Sequence, residues 1–286
     1  MMRWIVEPGL FRSSPVLHAL IAGAAVSLLS SVTGFFVLLR RQAFAGHALT
    51  DVATTGGAAA SLWGLAPLLG FLVGAFTGAT ALSVAGDERV RERDVATGVL
   101  LGIATGCSAL FLYLTATSTA NTGVAQQVLF GSVFDVSTAT VTLLVIVSLA
   151  LTGLTLGMTR PLMLSSLVPA IAAARGERTR LLSWFFMLVV AATVALSALI
   201  TGSVLSTALL VGPAAGAQRL SAHPQRAIAL AAALGAIATT LGVVLAYDSY
   251  YWRTSGTGLP VSFFIVMIVI AQYAIGGLIY RARQKK

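Results

Sequence analysis

His47 and Asp51 are the pair of side chains in this sequence that best suits the binding of a metal ion. They lie four residues apart, in a stretch of 45 residues from Gln42 to Gly86 that contains no other ionisable side chain. On a helix, positions i and i+4 share one face, so an imidazole and a carboxylate there can reach the same small cation. The residues alone leave a second interpretation open, in which Asp51 caps a glycine-interrupted helix or pairs with an arginine, and His47 only packs.

The composition of the chain indicates what surrounds this pair. Of the 286 residues, 57% are hydrophobic and only 9% are charged, and the mean hydropathy is +0.92, whereas a soluble domain has about 25% charged residues. The chain is therefore predicted to be a polytopic helical membrane protein. An ionisable residue at membrane depth costs about 2.5–3.5 kcal/mol on insertion scales, and it normally marks a pathway or a site.

Long apolar runs predict an all-α transmembrane bundle with eight or nine membrane segments, forming a single domain over residues 1–286. Most of the runs are long enough for one crossing at about 1.5 Å per residue. Two of them, 43–63 and 203–218, are rich in Gly and Ala, and either could be a broken or partly inserted helix. The runs cover residues 16–39, 43–63, 66–85, 95–117, 136–159, 181–200, 203–218, 227–246 and 260–280.

The basic residues predict which loops face the cytoplasm. The excess of 18 Lys and Arg over 9 Asp and Glu would suggest nucleic-acid binding in a soluble protein. Here these residues lie between the apolar runs, as the positive-inside rule requires, so nucleic acid is not expected as a partner. The segments 86–94, 160–180 and 219–226 should be cytoplasmic, and 118–134 and 247–259 external. Nine crossings would place the N-terminus outside and eight would place it inside.

The chain contains no motif for ATP hydrolysis. Its only lysines are Lys285 and Lys286, so it cannot supply the lysine of a phosphate-binding loop.

The segment 125–137 has too few apolar residues to span and is predicted to be a short amphipathic or re-entrant element on the external side. The segment 160–180 contains an alanine run followed by Gly176. It is either a connecting loop or a helix that docks on a cytoplasmic partner.

Four segments, in order along the chain, resemble the membrane permeases of ABC importers for zinc and manganese. In that family a helix ends in a basic pair, and a glycine and an acid–x–x–x–His motif follow. The family pattern continues with an LFG-type segment, then a small-residue stretch with Pro-Ala-Ala, and then an external Ser-Tyr-Tyr loop. The likeness extends over roughly residues 16–280. The four segments are FVLLRRQAFAGHALTDVATTGG (36–57), LFGSVFDVS (129–137), TGSVLSTALLVGPAAGAQRL (201–220) and AYDSYYWRTSGTGLPVSFFIV (246–266).

The chain departs from the family pattern at the metal-binding motif. His47 stands where the family has its acid, and Asp51 stands where it has its histidine. The exchange keeps both the i, i+4 geometry and the set of ligands, so the resemblance implies that His47 and Asp51 bind the transported metal. Two ligands are too few for a stable zinc site, which uses four. A two-fold dimer with this segment at its axis would supply two histidines and two aspartates.

A second departure lies in the helix that couples such permeases to their ATPase. In the family this helix begins with Asp-Pro-Glu, and the corresponding residues here are Val-Pro-Ala at 168–170. Pro169, Ala172 and Gly176 still follow the family pattern. The resemblance implies that these three residues belong to the site where a separate ATP-binding cassette ATPase docks. This chain would then not itself be an enzyme.

The resemblance implies a type II ABC importer-like permease in a bacterial cytoplasmic membrane. Its partners would be the ATPase, an extracytoplasmic metal-binding protein, a second copy of itself and membrane lipid. It would hold no permanent cofactor and would carry a divalent metal, with zinc favoured over manganese. Two alternatives stay open: a secondary cation transporter or channel that works alone, with His47 and Asp51 as a relay, and a permease for an iron chelate.

Overall fold

The computed structural model of the chain describes residues 13–85, 90–118, 123–131, 133–134, 136–174, 178–252 and 258–284. The described residues form α-helices and no strands. The helices are Ser14–Leu39 (α1), Ala43–Leu62 (α2), Pro67–Ala85 (α3), Val90–Ser118 (α4), Gly123–Phe130 (α5), Thr138–Gly157 (α6), Thr159–Leu167 (α7), Pro169–Ala174 (α8), Thr179–Thr201 (α9), Ser203–Leu220 (α10), Pro224–Trp252 (α11) and Val261–Gln284 (α12).

Proline and glycine set several of the helix boundaries. The helices α3, α8 and α11 begin at Pro67, Pro169 and Pro224, because the fixed φ of proline suits the first helical position and no helical hydrogen bond is lost there. Gly202, with φ of +81°, separates α9 from α10. Residues with a side chain rarely adopt that conformation, so the break is encoded by the glycine.

The long helices confirm the predicted polytopic bundle. Nine helices of the described part have 18 residues or more, and seven of these are apolar enough to cross a membrane by length and composition. The other two, α2 and α10, are each continuous. Neither is the broken helix that its glycine content allowed, because their alanines favour the helix. The nine long helices agree with the expected eight or nine segments.

The helices α1 and α9 form the centre of the bundle. Most of each membrane span is buried inside the protein, 72% of α1 and 78% of α9, whereas only 11% of the α4 span is buried. The contact between the two central helices is partly polar, since the hydroxyls of Ser30 and Ser197 lie 2.7 Å apart. Hydroxyls that pair across helices replace water as partners at membrane depth.

Glycines bring α2, which carries His47 and Asp51, against the backbone of α3. A Cβ atom added to Gly56 would collide with the carbonyl of Gly70, and one added to Gly70 would collide with the carbonyl of Gly56. One added to Gly74 would lie 2.5 Å from the carbonyl oxygen of Val52. The four-residue spacing of glycines in α3 therefore serves close helix packing, as the sequence predicts.

Short helices occupy the two segments whose structure the sequence left open. The segment 125–137, which is expected on the external side, includes most of the eight-residue α5, and α5 ends before Gly131. The segment 160–180 forms α7 and α8, joined at the non-helical Val168. Gly176 lies outside the described residues.

Candidate metal site

His47 and Asp51 lie in the first half of α2, and both are half-buried within the protomer. Each is contacted by a hydroxyl from a different neighbouring helix. Thr207 of α10 lies beside His47, and Thr105 of α4 lies beside Asp51. The helix α2 therefore carries both candidate ligands, while α10 and α4 orient them.

A chain of hydroxyl groups holds the imidazole of His47. Its Nδ1 atom lies 3.1 Å from Oγ1 of Thr207, which lies 3.5 Å from Oγ1 of Thr50. The hydroxyl of Ser206 donates to Thr50 at 3.3 Å, and both Thr50 and Ser206 are fully buried. Because Nδ1 contacts these neutral hydroxyl groups, Nε2 is the nitrogen of His47 that can bind a cation.

The carboxylate of Asp51 accepts a hydrogen bond from a neutral group. The hydroxyl of Thr105 donates to Oδ2 of Asp51 at 2.9 Å. Within the described residues Asp51 makes no ion pair with an arginine, and Arg40 donates instead to the hydroxyls of Ser165 and Ser183. Asp51 also lies in the interior of a continuous helix, so it caps no helix end. The alternative in which Asp51 acts as a cap or pairs with arginine is therefore wrong for the described part of the chain.

Because Asp51 is bonded to Thr105, we expect its carboxylate to lie near the middle of the membrane. Thr105 lies close to the centre of the α4 span, which runs from Asp94 to Ser118. Thr105 is exposed on the surface of the protomer, and Asp51 beside it is partly exposed. A carboxylate at that depth is too costly to leave against lipid. The surface around Asp51 and Thr105 must therefore face water or another protein.

One protomer does not hold a complete set of metal ligands. Among the described residues, no group of three or more His, Cys, Asp or Glu side chains lies close enough together to bind an ion. The site of one protomer offers an imidazole, a carboxylate and hydroxyls. Since zinc takes four ligands in its common sites, a bound ion would need further ligands from water or from another chain.

Of the three residues expected at the ATPase contact, Ala172 is the one whose burial the structure describes. Ala172 is fully buried, so its side chain cannot touch another chain and its effect on docking would come from packing α8. The exposed apolar side chains of this region are those of Leu167, Val168 and Ile171. Pro169 provides the first residue of α8. Of these three exposed residues, only Val168 falls within the Val-Pro-Ala start that corresponds to the family's Asp-Pro-Glu.

The sequence does not predict which threonines contact the two candidate ligands. Thr105 is separated from Asp51 by 54 positions, and Thr207 is separated from His47 by 160. Threonine is frequent in these apolar helices, where most of its hydroxyls donate to a carbonyl of their own helix. Nothing in the sequence distinguishes the two that reach across to α2.

Comparison with known proteins decides the family of the chain. Residues 13–275 match the model of the ABC 3 transport family. The chain belongs to that family. Two curated relatives of this ABC 3 permease are the manganese transport system membrane protein MntC of Listeria monocytogenes and the high-affinity zinc uptake system membrane protein ZnuB of Haemophilus influenzae. MntC is 27% identical over 240 residues, which are 84% of each chain. ZnuB is 26% identical over 245 residues, which are 85% of this chain and 91% of ZnuB.

A solved structure shows the same fold. The structure of PsaBC from Streptococcus pneumoniae in complex with a Fab matches with a TM-score of 0.79 at 21% identity, covering 94% of this chain and 92% of that one. The resemblance to metal-importer permeases is thereby confirmed. This ABC 3 permease is a multi-pass membrane subunit of a manganese and zinc transporter family, in which the ATPase is a separate chain.

Proposed function

We propose that this permease forms the membrane pathway of an ATP-driven importer of a divalent transition metal, with zinc favoured over manganese. The observation that carries the proposal is the partly exposed Asp51 carboxylate, which is bonded to Thr105 near the middle of the α4 span and lies one helical turn from His47. A negative charge at that depth is stabilised by a passing cation. The imidazole favours zinc, because manganese prefers oxygen ligands.

The remaining ligands come from a second copy of the chain. The partly exposed surface of Asp51 and Thr105 lies on the side of α4, the span of which little is buried within one protomer. Two copies that meet there would cover both carboxylates and together offer two histidines and two aspartates. Such a site can release its ion once the helices move apart, as a transfer site must.

The partners follow from this arrangement. The dimer opens outward to receive the ion from an extracytoplasmic metal-binding protein, and then inward to release it. Two ATPase subunits dock at α7 and α8 and supply the energy. Residues 1–286 act as one permease domain in a bacterial cytoplasmic membrane, and the metal is cargo rather than a permanent cofactor.

Uptake measurements in cells that lack the gene test this function directly. We expect the restored chain, together with its ATPase, to raise zinc uptake more than manganese or iron uptake, and uptake to stop when ATP is depleted. Uptake that continues without ATP and without the ATPase would instead identify a secondary transporter or channel. A manganese preference would overturn the choice of ion and leave the pathway intact.

Thr207 should set the affinity of the site through its contact with His47. Thr207→Val keeps the shape of the side chain and removes the hydroxyl that holds Nδ1. We expect the metal concentration for half-maximal uptake to rise about tenfold. Loss of a group that holds a metal ligand in place typically lowers metal affinity by about 10- to 100-fold, and we expect the lower end of this range. Thr207→Ser should restore the wild-type value.

Thr152→Val is the matched control, because the buried Thr152 hydroxyl donates to Ser148 in its own helix α6. Equal effects of Thr207→Val and Thr152→Val would show that Thr207 has only a packing role.

Ile171 should contribute to docking of the ATPase. Its side chain is 46% exposed on α8, and an exposed apolar residue at an interface centre is a typical anchor. We expect Ile171→Ala to weaken co-purification of the ATPase at least about fivefold. Leu156, also 46% exposed but on α6, supplies the control Leu156→Ala. Unaltered binding and ATP coupling after 168–176 is replaced by a flexible linker would contradict the docking role.

A further inference from the structure

Thr105 on α4 has one hydroxyl proton and two acceptors for it. Its Oγ1 atom lies 2.9 Å from Oδ2 of Asp51 and 2.9 Å from the carbonyl oxygen of Leu101, one turn earlier in its own helix. A threonine hydroxyl carries a single hydrogen and two lone pairs. It can therefore donate fully to only one of these oxygens, and no proton then lies between Oγ1 and the other oxygen.

The direction of this proton decides what the Asp51 carboxylate faces. When the hydroxyl donates to Asp51, the two oxygens form an ordinary hydrogen bond. When it donates to Leu101, a lone pair of Oγ1 points toward the carboxylate. Two electron-rich oxygens at 2.9 Å repel each other, and a cation bound to both removes that repulsion. Rotation of one hydroxyl proton thus turns a hydrogen bond into two ligands, with no shift of a heavier atom.

The helices hold this pair of oxygens in place. The hydroxyl of Thr55 on α2 lies 2.8 Å from the carbonyl oxygen of Ala104 on α4 and 3.0 Å from that of Asp51. It therefore joins the two helices directly beside Thr105. Ala104 is buried, whereas Thr105 is exposed on the surface of the protomer. The oxygen pair is positioned before an ion arrives, and an ion can reach it from outside the protomer.

We infer that Oγ1 of Thr105 is a ligand of the transported ion, beside Oδ2 of Asp51. The inference rests on the proposed function and adds a residue that determines which metal is accepted. Two oxygens 2.9 Å apart subtend close to a right angle at a cation about 2.1 Å from each, as neighbouring ligands of an octahedron do. Carboxylate and hydroxyl oxygens suit manganese, and imidazole suits zinc. His47 therefore favours zinc, while Thr105 allows manganese to be carried as well.

Uptake of labelled zinc and manganese by cells that express the full chain with its ATPase tests the role of Thr105. Thr105→Val keeps the shape of the side chain and removes the oxygen. At equal amounts of protein in the membrane, we expect manganese uptake to fall about tenfold more than zinc uptake, because zinc binding depends more on His47. Thr105→Ser keeps the hydroxyl and should restore the wild-type ratio of the two metals.

Thr105→Cys distinguishes a ligand from a residue that only orients Asp51. Its thiol replaces a hard oxygen by a soft sulfur, which suits zinc and not manganese. We expect zinc uptake to recover above the level of Thr105→Val while manganese uptake stays low. The matched control is Thr117→Val, because Thr117 is also exposed on α4 but its hydroxyl donates to the carbonyl of Tyr113 in the same helix. This control should keep both uptake rates.

Three results would overturn the inference. Equal losses of zinc and manganese uptake in both Thr105→Val and Thr105→Cys would show that Thr105 only holds Asp51. Unchanged uptake of both metals by Thr105→Val would exclude any role of the hydroxyl. Zinc uptake without measurable manganese uptake by the wild-type chain would show that Thr105 does not admit manganese. A wild-type chain that takes up neither metal would refute the proposed function itself, and the inference would fail with it.

Discussion

Asp51→Asn should abolish metal uptake while leaving the amount of folded protein in the membrane unchanged. Asparagine has nearly the same shape, and its amide oxygen can still accept the hydrogen bond from Thr105. The substitution therefore removes the negative charge and little else. Loss of even an outer partner of a metal ligand costs about 10- to 100-fold in affinity or activity. We expect loss of the carboxylate itself to exceed about 100-fold in uptake.

His47→Ala should have the same effect, because the imidazole is the second ligand of the pair. Uptake of labelled zinc and manganese in cells expressing each variant with its ATPase measures both losses. Asp94→Asn and His223→Ala are matched controls, since Asp94 and His223 are exposed residues of the same types outside the site. Wild-type uptake by either Asp51→Asn or His47→Ala would refute the pathway.

Gly70→Leu should prevent correct folding of the bundle. Any side chain at Gly70 collides with the backbone of Gly56, and its Cβ would also lie 2.6 Å from Cβ of Ala60. Overpacking costs typically about 1–3 kcal/mol, which we expect for Gly70→Ala, and leucine should cost more because backbone rather than flexible side chains would have to move. Displacement of α2 from α3 would also displace both candidate ligands, so uptake should be lost together with stability.

Gly153 on α6 provides the opposite case. A Cβ atom at Gly153 has no heavy atom within 4 Å, and alanine is favoured over glycine in a helix by about 1 kcal/mol. Gly153→Ala should therefore be neutral or stabilising, and Gly153→Leu should be tolerated. Thermal unfolding of the purified variants, followed by size-exclusion chromatography, compares the two sites. Equal stability of the Gly70 and Gly153 variants would show that α2 and α3 are not in backbone contact.

The class of protein and the candidate ligands can be predicted from the amino-acid sequence alone. Helix formation and membrane insertion depend on the length and apolar content of local runs, and these properties can be read without knowing what each helix contacts. The i, i+4 spacing of His47 and Asp51 is also local, so their common helix was predictable. So was the close packing at Gly70 and Gly74, because small residues four positions apart have few other uses in an apolar helix.

The groups that surround these residues become known from the folded structure. The partners of His47 and Asp51 are threonine hydroxyls from α10 and α4, and a threonine carries no signal of its partner. The same holds for Ala172, whose side chain is buried. In a membrane bundle nearly every residue is apolar or small, so hydrophobic pattern does not specify which helix faces meet. Packing and the pairing of a few polar groups do.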